Sequence, residues 1–158
     1  MHIETERKFL VKNDDYKGQA KVIHRMMQGY IAHDSGRTVR VRISDGRGYL
    51  TIKGPSANGI SRAEWEMEIP LEDAKSLMQL CKSGIIDKNR YVVPAGNVRF
   101  FEVDEFYGDN QGLVVAEIEL GAENEAFNKP EWLGEEVTGD HRYYNSSLCT
   151  MPYKDWKK

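Results

Sequence analysis

The sequence is short of cysteine, of long apolar runs and of glycine-rich phosphate loops, and each shortage removes a class of answers. Its two cysteines, Cys81 and Cys149, fit no metal-binding or redox spacing. A lone disulfide between them is open to the chain, but reduced thiols in a cytoplasmic protein are the expectation. No stretch approaches the roughly 20 consecutive apolar residues that cross a bilayer, so no membrane partner is expected. A charged motif already begins at Glu4, which leaves no room for a cleaved leader. Basic residues are not in excess, and the net charge of −3 argues against nucleic acid as a partner. The four histidines, His2, His24, His33 and His141, are scattered and make poor metal ligands as a set. There is no phosphate loop of the Walker type, no internal repeat and no low-complexity tract.

What is present is an ordinary globular composition, 40% hydrophobic and 30% charged over 158 residues, which fits one domain over 1–158 with a sizeable core. The stretch that organises it is Ile3 to Val11. As a β-strand it places Glu4, Glu6 and Lys8 on one face, with Ile3, Phe9 and Val11 on the other. Two carboxylates about 7 Å apart on one face repel unless a cation sits between them.

The same oddity recurs. Val22 to Ala32 reads as a strand with Met26, Gln28 and Tyr30 on one face, and Arg37 to Ser44 sets Thr38, Arg40 and Arg42 against Val39, Val41 and Ile43. Asp45-Gly46 is a hairpin turn, after which Tyr49 to Lys53 opposes Thr51 and Lys53 to Leu50 and Ile52. A loop at Gly54 to Gly59 leads into Ser61 to Ile69, with Arg62, Glu64, Glu66 and Glu68 opposite Ala63, Trp65, Met67 and Ile69. Apolar spacing and an acidic first turn predict a helix over 71–81. Strands follow at Ile85 to Val93 with Lys88 and Arg90, Val98 to Phe106 with Glu102 and Asp104, and Leu113 to Leu120 with Glu117 and Glu119. Beyond Gly121 the pattern turns helical, at Glu123 to Phe127 and Asp140 to Leu148, with a polar tail over 154–158. The fold class is therefore α+β, dominated by β: an eight-stranded antiparallel closed barrel, with short helices outside and at one end and a C-terminal helical segment over about 122–158.

Taken one strand at a time, charged/apolar alternation means a half-solvated sheet with its apolar face inward, and a lipid-like ligand in the bore. Three features point the other way. The charges sort by sign within each strand. The apolar faces carry Phe9, Trp65 and Phe101, which would overfill a small lumen but suit an outer surface covered by helices. Arginine dominates the basic set, and its planar fork suits phosphate oxygens. A charged lumen then holds eight acids (Glu4, Glu6, Glu64, Glu66, Glu102, Asp104, Glu117, Glu119) and seven bases (Lys8, Arg40, Arg42, Lys53, Arg62, Lys88, Arg90). Buried charges must be paired or metal-bound, and a triphosphate of about −4 with roughly two divalent cations leaves that balance unchanged.

With these strands in hand the chain resembles the triphosphate tunnel metalloenzymes, the CYTH domain superfamily. The hallmark Glu-x-Glu-x-Lys is Glu4-Thr5-Glu6-Arg7-Lys8. In order there follow Gln28-Gly29-Tyr30, Arg40-Val41-Arg42, Thr51-Ile52-Lys53-Gly54, Arg62-Ala63-Glu64-Trp65-Glu66, Lys88-Asn89-Arg90-Tyr91, Glu102-Val103-Asp104-Glu105-Phe106 and Ala116-Glu117-Ile118-Glu119-Leu120. Trp132-Leu133-Gly134 and Asp140-His141-Arg142-Tyr143-Tyr144-Asn145 look like the small bacterial tripolyphosphatase branch. The resemblance implies an eight-stranded tunnel that binds a triphosphate with a divalent metal. The family spans inorganic, thiamine and RNA triphosphatases and class IV adenylate cyclases; this compact chain, without an appended helical domain, favours the small tripolyphosphatases.

On that footing Glu4, Glu6, Lys8, Lys53, Lys88 and Arg90 are the catalytic set. Lys8, Arg40, Arg42, Lys53, Arg62, Lys88 and Arg90 bind phosphate oxygens. Hard carboxylate oxygens suit Mg²⁺ or Mn²⁺. Glu4, Glu6, Glu117 and Glu119 are the assigned metal ligands, with Glu102 or Asp104 as further candidates. Arg62 with Glu64 and Glu66 is either an ion-paired support or a second metal region. Glu68 and Glu105 are read as solvated charges, and Tyr143 and Asn145 as a cap on one mouth or, for Tyr143, core. The expected substrate is tripolyphosphate, with ATP or thiamine triphosphate as alternatives, handled by a monomer or homodimer. A class IV cyclase making cyclic AMP, and a non-catalytic polyphosphate-binding module, stay open beside the hydrolase.

Overall fold

A computed structural model describes residues 1–81 and 84–157, so only Lys158 of the expected tail lies outside the described residues. Nine strands form one sheet: β1 (His2–Val11), β2 (Val22–Asp34), β3 (Arg37–Ser44), β4 (Arg47–Lys53), β5 (Ser61–Ile69), β6 (Ile86–Ala95), β7 (Arg99–Phe106), β8 (Val114–Glu119) and β9 (Leu133–Glu136). Three short helices accompany them, α1 (Tyr16–Gln19), α2 (Leu71–Met78) and α3 (Asn145–Leu148). Neighbours run β5-β4-β3-β2-β6-β7-β8-β1-β9, and a β5–β1 pairing closes the first eight strands into an antiparallel barrel.

The closing strand has a divided edge. Its first half pairs with β5, from His2 opposite Glu64 to Thr5 opposite Ser61. Its second half pairs instead with β9, Phe9 opposite Glu136 and Val11 opposite Leu133. The chain after β9 therefore enters between β1 and the β4–β5 loop. Gly59 and Gly139, both at positive φ, meet there so closely that a Cβ on Gly59 would stand 3.3 Å from the Gly139 Cα.

The apolar strand faces point outward, and one side of the barrel is thickly covered. Phe9, Tyr91, Val93, Phe101, Val103 and Ile118 pack beneath Tyr16 of α1 and Trp132 of the β8–β9 connection. Trp132 stands edge-on to Phe101 and Tyr16, with centroids 5.2 and 5.8 Å apart. A second cluster of Ile86, Phe106, Leu113, Val115, Val137, Tyr143 and Leu148 fills one end of the bore.

Several expectations need correction. Trp65 is not covered by a helix and is 41% exposed, with Ile3, Ile52 and Met67 exposed around it. The reason is where α2 sits: its Ala74 packs onto Gly48, where a Cβ would meet the Ala74 Cβ at 2.6 Å, so the helix lies over β3 and β4 and leaves β5 bare. Residues 123–127 are not helical. The Glu125 carboxylate accepts from the Gly121 N–H and grips Arg99 in two hydrogen bonds, which ties the segment into a turn. The expected helix over 140–148 is broken at Tyr144, extended at ψ 135°, into a 3₁₀ turn (His141–Tyr143) and α3. The segment expected to be helical also supplies β9. Glu105 is not a free surface charge, for it accepts from the Tyr16 and Tyr107 hydroxyls and pairs with Lys17 at 3.0 Å, pinning α1 to β7.

Candidate active site

The charged strand faces all turn into the barrel, and they bound a cavity of about 250 Å³. Its lining includes Glu4, Glu6 and Lys8 of β1, Arg40 and Arg42 of β3, Lys53 of β4, Arg62, Glu64 and Glu66 of β5, Lys88 and Arg90 of β6, Glu102 of β7, and Glu117 and Glu119 of β8. Every expected site residue except Asp104 reaches this lining. The apolar end cluster closes the bore on one side. Glu102 and Glu119, with side chains 41% and 49% exposed, lie toward solvent.

Register explains the convergence. Side chains alternate across a strand, so pairing Lys8 with Glu117, Glu117 with Glu102, and Arg40 with Thr51 and Thr51 with Glu66 carries one face around the barrel. Three polar residues on the same face were not singled out as working parts. Gln28 and Thr51 are fully buried and Thr38 is 4% exposed. Their parity with the charged positions was the available signal.

The acids fall into two kinds. Asp104 is 1% exposed and lies beneath the lining, donor-saturated by protein: Lys88 Nζ at 2.8 Å, Arg90 Nε at 2.8 Å and Arg90 Nη2 at 2.9 Å. Burial acts to raise its pKa, but Arg90 and Lys88 outweigh it and hold the carboxyl below its usual range. Glu4 takes Lys53 at 2.8 Å, Glu66 takes the Thr51 hydroxyl at 2.6 Å and Arg40 at 3.4 Å, and Glu102 takes Arg90 at 3.3 Å.

Glu6 and Glu117 differ. Burial and the neighbouring carboxylates of Glu117 and Glu4 push Glu6 well above the ordinary range. Lys8, Arg90 and Lys88 hold Glu117 well below it against burial. Two carboxyl groups side by side in the tunnel wall require a shared proton or a cation. Among the described residues no three His, Cys, Asp or Glu side chains make a ready cage for a metal ion. The Glu6 and Glu117 carboxylates would suit a divalent cation that keeps several waters and takes its remaining ligands from substrate phosphates.

The cations are crowded. Burial, reinforced by Arg40 and Arg90, lowers the Arg42 guanidinium to about 9, still charged at neutral pH. Lys88 is wholly buried, and burial with Arg90 and Arg42 lowers it to about 7 although Asp104 opposes the shift. Arg40 Nε is buried without a hydrogen-bond partner among the described residues. Arg62 is turned differently, donating to the Gly54 carbonyl at 2.8 Å and the Gly36 carbonyl at 2.7 Å, so it ties two hairpin loops together at the rim.

The C-terminal segment completes the wall. Lys8 Nζ donates to the Tyr143 carbonyl at 3.3 Å and lies 5.2 Å from the Tyr144 ring centroid. The Tyr143 ring belongs to the apolar end cluster, whereas Asn145 lines the tunnel.

The profile of the CYTH domain matches residues 2–148. An inorganic triphosphatase of Acetivibrio thermocellus is 51% identical over 157 residues, 98% of each chain. One of Nitrosomonas europaea is 33% identical over 149 residues, 92% of this chain and 96% of that one. Among solved structures, an inorganic triphosphatase superposes with a TM-score of 0.66 at 30% identity, covering 92% of this chain and 97% of that one. A putative adenylyl cyclase from Hippeastrum, described as having a dominant triphosphatase activity, shares the fold at a TM-score of 0.59 and 14% identity, over 77% and 80% of the two chains.

Proposed function

Because the chain belongs to the CYTH domain family, we propose that it hydrolyses the terminal phosphoanhydride of inorganic tripolyphosphate within the tunnel, with a divalent metal bound alongside the substrate. One observation supports this most: Arg40, Arg42, Lys88 and Arg90 are held together in the bore, with Arg40 Nε unpartnered among the described residues, an arrangement that a polyanion relieves.

Lys8, Lys53, Arg40, Arg42, Lys88 and Arg90 grip phosphate oxygens from several strands and fix the triphosphate along the bore. The same cations face the charge that builds up on the leaving pyrophosphate. Glu4, Glu6, Glu117 and Glu119 would hold Mg²⁺ or Mn²⁺, which supplies neutralisation of phosphate charge when bound. A carboxylate of the tunnel wall orients the attacking water and takes up its proton. The water oxygen bonds to the terminal phosphorus, the bridging P–O bond breaks, and phosphate and pyrophosphate leave. Asp104, saturated by Lys88 and Arg90, orients these two cations instead of meeting metal. Among the described residues no helix is long and apolar enough to cross a membrane.

The test offers tripolyphosphate, ATP and thiamine triphosphate with Mg²⁺, Mn²⁺ or EDTA, following phosphate, pyrophosphate and cyclic AMP. Metal-dependent phosphate release from tripolyphosphate, lost in Glu4→Gln, is expected. Cyclic AMP with pyrophosphate from ATP would make the protein a cyclase. Tight tripolyphosphate binding without turnover would make it a binding module.

A further inference from the structure

The C-terminal segment lines the tunnel with Thr138, Tyr144, Asn145 and Ser146, and the hydrogen bonds of Asn145 have only one workable polarity. Arg42 Nε donates to Gln28 Oε1 at 2.8 Å, and because a guanidinium accepts nothing, the Gln28 oxygen must face it. The Gln28 amide nitrogen therefore faces Asn145 and donates to its Oδ1 at 3.1 Å. Lys88 Nζ donates to the same oxygen at 3.0 Å, and an ammonium likewise accepts nothing. Neither amide can flip without setting donor against donor. Gln28 and Lys88 are fully buried, so such a clash would have no water to relieve it. The Asn145 Nδ2 amide is left without a protein partner among the described residues, on a residue of the tunnel lining.

We propose that Asn145 is a positioning residue of the triphosphate site. Its Oδ1 holds Lys88 directly and Arg42 through Gln28, while its Nδ2 offers a neutral donor to a phosphate oxygen. The proposal rests on reading the tunnel as a triphosphate site. Asp104 already pairs with Lys88 and Arg90 from below, so a second carboxylate on the lining would hold the cations as well but cancel charge the polyanion needs. A neutral carbonyl fixes the two arms, one from β3 and one from β6, and leaves their charge available. Because Lys8 donates to the Tyr143 carbonyl, the same three-residue stretch touches two of the cations expected to bind phosphate, Lys8 and Lys88, and reaches a third, Arg42, through Gln28.

The experiment compares Asn145→Asp, Asn145→Leu, Gln28→Leu and the double leucine variant. The readouts are melting temperature, calorimetric titration with tripolyphosphate in EDTA, and kcat and KM with tripolyphosphate and Mg²⁺. Asn145→Asp keeps the oxygen that Lys88 and Gln28 need, so its melting temperature should stay near wild type. Its added charge should weaken tripolyphosphate binding and raise KM by about tenfold or more, with a smaller effect on kcat. Asn145→Leu should lower kcat/KM by about tenfold or more, and the double variant should fall no more than about threefold below the worse single variant. Asn145→Asp binding within twofold of wild type, or multiplying effects of the Gln28 and Asn145 variants, would overturn the proposal. If wild type binds tripolyphosphate but does not cleave it, the hydrolase reading fails, and the binding series alone still decides the role of Asn145.

Discussion

Replacing Asp104 with asparagine separates an acid that orders the tunnel's cations from one that binds metal. Asp104 is 1% exposed and makes three short hydrogen bonds to Lys88 and Arg90, themselves 0% and 7% exposed. Removing one partner of a buried ion pair costs about 3–5 kcal/mol, because the other charge is left uncompensated. In a domain of this size 1 kcal/mol moves the melting temperature by about 2–4 °C, so a fall of about 6–20 °C is expected without ligand. The loss should lie toward the lower end near pH 8. Lys88, lowered by burial to about 7, can then shed its proton in the folded variant. A base whose folded pKa lies below its unfolded value loses stability as pH falls, so the deficit should widen at pH 6. Tripolyphosphate in EDTA should restore more stability to the variant than it adds to wild type, since the anion supplies the missing charge. Differential scanning calorimetry at both pH values, with and without tripolyphosphate, reads each quantity. An unchanged or raised melting temperature would refute the reasoning that Asp104 orders these two cations.

Glu6→Gln should behave oppositely: with a repelled carboxylate removed from beside Glu117 and Glu4, the metal-free protein should melt a few degrees higher while phosphate release is abolished. Trp132→Ala should cost about 3–5 kcal/mol in denaturant unfolding, because Trp132 is 1% exposed between Tyr16 and Phe101. Cys149, pushed up to about 12 chiefly by burial, should resist iodoacetamide at pH 8 in the folded protein and react promptly once denatured, as mass spectrometry would show.

The barrel was legible because strand parity is rigid. Glu4, Glu6 and Lys8, or Arg40 and Arg42, share a face whatever the rest of the chain does, and like-signed charges on that face made sense only as a lumen. What the sequence hid were effects of particular neighbours. Leu133-Gly134-Glu135-Glu136 carries no alternation, and it becomes a strand only because β5 leaves the second half of β1 unpaired. Helical-looking residues 123–127 lose to one side chain, Glu125, which is claimed by Arg99 and the Gly121 N–H. Trp65 looked like a covered position because its face is apolar, but the small residues that seat α2 are Gly48 and Ala74, one strand away. In the site, parity placed Asp104 with the other acids, and only the fan of donors from Lys88 and Arg90 distinguishes it. Asn145 lies far from the barrel strands in sequence, so its partnership with Lys88 and Gln28 follows from where β9 delivers the chain.

The most direct test of the account is the fate of tripolyphosphate itself, followed by phosphorus NMR with catalytic amounts of protein. The account predicts loss of the tripolyphosphate resonances and growth of equal amounts of pyrophosphate and phosphate, only with a divalent metal and not in EDTA. Unchanged tripolyphosphate in the presence of Mg²⁺ and of Mn²⁺, from protein that binds it, would contradict the claim that this tunnel hydrolyses a triphosphate.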